Sequence, residues 1–172
     1  NGESGLIVVS LEAYEQYLRK DAWMWELQAL TRARFCAGNT QVGAKFEALR
    51  TTLLREQRDA HTLRSEVLAM RQKMRESFAN KGAGFELKHD AGGLIDVEFI
   101  VQYLVLAHAH AHPELTENKG NIALLGRAAT AGLIPETLAS GSANAYRAMR
   151  HAQHGLRLNQ QRSRVFDDSL EG

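Results

Sequence analysis

The 172-residue sequence predicts an all-α fold, a helical bundle preceded by a short remnant strand, on three observations. Apolar residues recur at three- and four-residue spacing over several long stretches, the period of one helical face. The prolines at 113 and 135 and the glycine clusters at 82–84 and 92–93 fall between those stretches, where they break them. Only two short runs look extended: the β-branched residues 6–9, and residues 85–88, which alternate briefly.

Leu6, Ile7, Val8 and Val9 suit a strand, yet an isolated strand is not stable. They are therefore expected to end a preceding domain, with residues 1–10 assigned to it and 11–172 to the bundle. Ser10 is a good N-cap for a helix over residues 11–20, and Asp21 for one over 22–36 that stops near Gly38. Thr40 caps a third helix striped by Val42, Phe46, Leu49, Leu53 and Leu54. A fourth, over residues 60–78, carries Leu63, Val67, Met70, Met74 and Phe78 on one side, with Arg64, Glu66, Arg71, Lys73 and Arg75 on the other. The helix over 94–111 is apolar nearly all round and belongs at the bundle's centre. Pro113 closes it, residues 121–131 form a short helix ending near Gly132, and Pro135 starts the last long one.

Composition narrows the function classes. The 44% hydrophobic and 24% charged fractions are those of a folded single domain, and a net charge of +1 provides no global field toward nucleic acid or an anionic membrane. The apolar run 97–107 is interrupted by Gln102 and too short for a bilayer, and the first residues lack signal-peptide character. One cysteine, Cys36, makes no internal disulfide and fits a reducing, cytoplasmic setting; it is expected as a small core residue.

Residues 88–102 hold the most chemistry. Gly92 and Gly93 enter a helix whose free amides and dipole favour an anion, and Lys88 adds positive charge. Asp96, Glu98 and Gln102 are polar groups in an apolar helix, so each must be paired or face a cavity or partner. Glu98 and Gln102 share a face, while Asp96 points elsewhere. The plainer alternative is a tight turn whose acids pair with Lys88 and with arginines of neighbouring helices. His108, His110 and His112 alternate, and residues two apart on a helix diverge, so no metal site is expected there. Trp23 and Trp25 are separated by the same geometry; one is expected in the core and the other against a neighbouring domain. Arg157, Arg162 and Arg164 read as a solvated face.

Lys88, Gly92-Gly93-Leu94, Asp96-Val97-Glu98-Phe99 and Gln102 together resemble the motif that opens the central helix in glutamine synthetase adenylyltransferases. The segment 22–34, with its Trp23, Trp25, Glu26, Gln28, Arg32 and Arg34, resembles a second motif of that family, and residues 5–13 resemble the end of its catalytic domain. The resemblance runs in register to about Pro135. It implies a bifunctional enzyme that attaches AMP to glutamine synthetase and removes it, with ATP and Mg2+ as cofactors of the full-length protein and none held by this chain. This part corresponds to the helical domain after the adenylyl-attaching nucleotidyltransferase domain, expected to pack over the nucleotidyltransferase site. The Gly-Ser turn and paired aspartates of such a site are missing here, so no catalytic residue is assigned. Lys88, Gly92, Gly93, Asp96, Glu98 and Arg32 become the nucleotide- or domain-interface candidates. The implied partners are glutamine synthetase, the PII signalling protein and the preceding domain, without nucleic acid or membrane; the rival is a non-catalytic module docking PII or glutamine synthetase.

Overall fold

A computed structural model describes residues 8–80, 82–161 and 163–165. Its elements run α1 (Leu11–Lys20), α2 (Met24–Leu30), α3 (Thr40–Leu54), α4 (Ala60–Ser77), β1 (Phe85–Glu86), α5 (Leu94–His108), a 3-10 turn (Pro113–Thr116), α6 (Asn121–Thr130), α7 (Glu136–Leu158) and β2 (Arg164–Val165). The mainly helical architecture is the one the periodicity predicts. Leu6 and Ile7 of the expected strand lie outside the described residues; Val8 and Val9 are exposed.

Side-chain caps open α1, α3 and α4. Ser10 accepts from the Ala13 amide at 3.2 Å, and Asp59 accepts from Thr62 at 2.7 Å. Asn39, rather than Thr40, caps α3 by accepting from Gln41 and Val42.

α2 departs most from expectation, running only from Met24 to Leu30 instead of over 22–36. At its start the Glu26 carboxylate takes the Trp23 amide at 2.9 Å, which makes Trp23 the cap in place of Asp21. At its end the buried Arg50 guanidinium of α3 takes the carbonyls of Leu30 and Thr31, at 3.0 and 2.8 Å, and that of Thr116 at 2.9 Å. Those bonds stop the helix and turn the chain into a loop. Cys36 lies in that loop and is exposed, not a core residue, because the helix that was to carry it inward ends six residues earlier. Phe35 instead packs on α3, where Gly43 leaves room: a Cβ there would sit 2.5 Å from the ring.

α5 is the central helix, burying Leu94, Ile95, Val97, Val101, Leu104, Val105 and Leu106 among α2, α4, α6 and α7. Each such side chain contributes about 1.5–3 kcal/mol of burial, which is why this helix needs no amphipathic stripe. α1 lies on α3 and α6 on α7. β1 and β2 pair antiparallel, Phe85 with Val165 and Glu86 with Arg164, bringing the C-terminal end of the described chain beside the turn before α5. Among the described residues no helix is long and apolar enough to cross a membrane.

Candidate functional site

The start of α5 is built by its own chain. Gly92 has φ +84°, a left-handed conformation that disfavours any side chain. Gly93 is the N-cap; a Cβ on it would lie 2.8 Å from the Leu87 carbonyl oxygen and 3.0 Å from that of Asp90. The amides there are engaged in turn: Gly93 donates to Asp90 O, Leu94 to Leu87 O, Ile95 to Lys88 O and Asp96 to Gly93 O, all within 2.9–3.1 Å. The Gly92 amide donates to the Asp96 carboxylate at 2.6 Å. The positive end of the helix dipole is thus met by Asp96 and by the carbonyls of residues 87–90, and none of these five amides is left for an external anion.

Asp96 also forms an ion pair with Arg71 of α4, whose other nitrogen donates to the His89 carbonyl at 2.9 Å. Arg71 is buried, against the expectation that it lies on α4's solvent face. Its position four residues after Val67 and eight after Leu63 puts it on the apolar stripe, and that spacing was the available signal. Asp90 completes the turn, accepting from the Glu86 amide at 2.8 Å and from Asn80 at 2.9 Å. The Lys88 side chain is exposed.

Glu98 faces the opposite way. It accepts from the Tyr146 hydroxyl of α7 at 3.0 Å; that oxygen accepts from Asn121 of α6 at 3.0 Å, and Asn121 accepts from Arg32 at 3.2 Å. Burial, then the Glu98 charge, pushes the Tyr146 hydroxyl up from its ordinary value. Gln102 accepts from the buried Gln28 of α2 at 3.1 Å. The structure therefore joins Arg32 to Glu98 through two intermediaries and gathers Gly92, Gly93 and Asp96 around Arg71, while Asp96 and Glu98 stay on separate faces. Asn121 and Tyr146 were missed because neither belongs to a local pattern.

The accessible surface nearest this turn is apolar. Between α4 and α5 runs a groove of about 650 Å³ lined by Leu68, Phe99, Ile100 and Tyr103, with Arg71, Asp96 and Gly92 at its end. On α4's other flank, a groove of about 420 Å³ is lined by Trp23, Trp25, Met24 and Met70. Trp23 and Trp25 are 65% and 45% exposed, so neither anchors the core. Trp23 precedes the helix, which voids the separation expected of two helical positions two apart. Leu68 and Ile100 are 58% and 48% exposed. The ridge of α4, which also carries the exposed Arg64, Glu66 and Lys73, thus has large exposed apolar side chains on both flanks, the mark of a contact surface.

Residues 1–49 match the family described as glutamate-ammonia ligase adenylyltransferase, and residues 61–165 match that described as GlnD PII-uridylyltransferase. A bifunctional glutamine synthetase adenylyltransferase/adenylyl-removing enzyme of Aromatoleum aromaticum is 56% identical over 170 residues, which is 99% of this chain and 18% of that protein. The proteins of the same description from Bordetella bronchiseptica and Chromobacterium violaceum are 55% and 53% identical, over 92% and 99% of this chain and 17% and 19% of their own lengths. The chain thus spans less than a fifth of the length of these curated relatives.

Proposed function

The chain belongs to the family of bifunctional glutamine synthetase adenylyltransferase/adenylyl-removing enzymes, and from that premise we propose that it is the helical domain that packs beside the adenylyl-attaching nucleotidyltransferase domain. The whole protein transfers AMP from ATP to glutamine synthetase in the cytoplasm and removes it again, with Mg2+ as the metal. Magnesium and the ATP phosphates do not fit the residues described here: among them no group of three His, Cys, Asp or Glu side chains converges, and the amides opening α5 are taken by internal acceptors. Holding metal and nucleotide falls to the other domain.

The observation that carries this reading is the ridge of α4 with an apolar groove on each flank. Trp23, Trp25, Leu68 and Ile100 are costly to leave in water, and both grooves lie beside elements the family motifs supply, α2 and the start of α5. In this role Gly92, Gly93 and Asp96, tied to Arg71, hold the turn at the groove's end. Lys88 projects from that turn, and the Arg32 to Glu98 network fixes α2, α6 and α7 behind it. Leu68→Asp and Ile100→Asp in the full-length enzyme test it. AMP transfer to glutamine synthetase falls by about tenfold or more, as for a lost interface anchor of about 1.4 kcal/mol or more. Wild-type transfer in both variants contradicts it.

A second reading, a regulatory module docking PII or glutamine synthetase without catalysing, is favoured by the match of residues 61–165 to the family whose description names PII uridylylation. Binding of PII by the 172-residue chain, abolished by Leu68→Asp, would give the same ridge to PII instead of the neighbouring domain.

A further inference from the structure

On the opposite side of α5 from α4, helix α7 carries a second surface. Arg147, Arg150, His151, His154 and Arg157 fall within about 120° of arc and about 15 Å of helix at 100° and 1.5 Å per residue, and all five are exposed. The lone acid of α7 is Glu136, at its far end, so this last stretch is uniformly basic in a chain whose Lys+Arg and Asp+Glu counts are 21 and 20. A cavity of about 610 Å³ is lined by Arg150, His151, Gln153, His154, Arg157 and Leu158.

These arginines differ from six others in the fold, though Arg34, Arg64 and Arg75 are likewise exposed. Arg32, Arg50, Arg55, Arg58, Arg71 and Arg127 each donate to backbone carbonyls. Five of the six reach a separate stretch of chain by doing so; Arg58 folds back on the end of α3. By contrast Arg147 donates to Asn144 and Arg150 to Gln153, both on their own helix, and none of the three α7 arginines forms an ion pair among the described residues. They hold nothing in this fold together.

We propose that this face of α7 docks an acidic polypeptide segment. Guanidinium forks match carboxylates in bidentate geometry, and a row at spacings of three, four and seven residues matches successive acids on an opposing segment. Leu158, 75% exposed at the end of the row, supplies an apolar anchor. A nucleic acid fits less well: the row has no exposed aromatic for base stacking, since Tyr146 is half-buried and bonded to Glu98, and the net charge of +1 gives little long-range attraction. The proposal stands apart from the α4 ridge and does not depend on what covers it.

The test is titration of the chain with a labelled polyglutamate peptide and, separately, with an oligouridylate of equal length. Replacing Arg147, Arg150 and Arg157 by alanine is compared with replacing Arg34, Lys45 and Arg75, three exposed cations scattered over the fold, by alanine. Both triple variants change net charge equally. Polyglutamate affinity falls about tenfold or more in the first and stays within about twofold of wild type in the second, a gap of roughly 1 kcal/mol at least. Glutamine replacements and a thermal melt confirm that the loss is not unfolding. No polyglutamate binding by wild type, equal loss in both variants, or tighter binding of the oligouridylate overturns the proposal.

Discussion

Replacing Arg50 by methionine probes the joint on which α2, α3 and the 3-10 turn depend. The guanidinium is 2% exposed and serves three carbonyls, those of Leu30, Thr31 and Thr116, while its nearest carboxylate, on Glu47, is 3.9 Å away. It works as an internal helix cap, not as half of a tight ion pair, and burial lowers its pKa from the ordinary arginine value. Methionine keeps most of the volume but strands the Thr31 and Thr116 carbonyls, while that of Leu30 keeps the Ala33 amide at 3.2 Å. Each buried, unsatisfied carbonyl costs about 1–3 kcal/mol, partly offset because no guanidinium is taken out of water. The net expectation is a loss of about 3 kcal/mol, or roughly 6–12 °C in melting temperature for a chain of this size. Arg50→Lys retains a cation but not the planar fork, so it restores part of that loss. Urea unfolding followed by far-ultraviolet circular dichroism measures both. A methionine variant within about 0.5 kcal/mol of wild type would show that the carbonyls find other partners and that Arg50 does not terminate α2.

Other outcomes follow from the same geometry. Gly93→Ala forces a Cβ against the Leu87 and Asp90 carbonyls and costs about 1–3 kcal/mol, whereas Gly92→Ala pays only left-handed strain of about 1–2 kcal/mol; the order of the two urea midpoints checks this. Tyr146→Phe breaks the link between Glu98 and Asn121 and lowers stability by about 1 kcal/mol or more, since both partners lose a bond in a partly buried place. Burial holds the imidazoles of His89 and His108 below their ordinary 6.5, so the unfolded chain takes up protons first as pH falls. Stability is therefore full above about 6.5 and declines below it, and His108→Gln flattens that decline in melts between pH 7 and 5. Lys88→Ala leaves the melting temperature of the 172-residue chain unchanged, its side chain being exposed; reduced AMP transfer in the full-length enzyme would then place Lys88 at the domain contact.

The long helices were legible because burial repeats locally: Leu49, Leu53 and Leu54, or Leu63 and Val67, announce their face within one segment. The central place of α5 was legible for the same reason. What stayed hidden was decided by groups distant in sequence. α2 stops at Leu30 because Arg50, twenty residues on, takes its last carbonyls, and nothing between 22 and 36 encodes that. Cys36 and the two tryptophans followed from the misplaced helix. In the candidate site, the burden on Asp96 and Glu98 to find partners could be stated from sequence. Their actual partners, Arg71 and Tyr146, lie 25 and 48 residues away and needed the fold. Of the two readings of the double glycine, the tight turn with an acid paired to a neighbouring helix's arginine is the one the fold makes; the turn at 87–90 closes back on the amides, a step that depends on backbone path rather than on residue type.

The central claim is that the α4 ridge is covered when the chain is part of its parent protein. Cysteine placed at Leu68 or Ile100, with Cys36 changed to serine because it is itself exposed, reports this directly through the rate of maleimide labelling. The account predicts rapid labelling in the 172-residue chain and at least about tenfold protection in the full-length enzyme, the mark of a buried interface position. A control cysteine at Ser140 on α7 should label equally in both. Equal labelling of the ridge cysteines in the two proteins would contradict the claim.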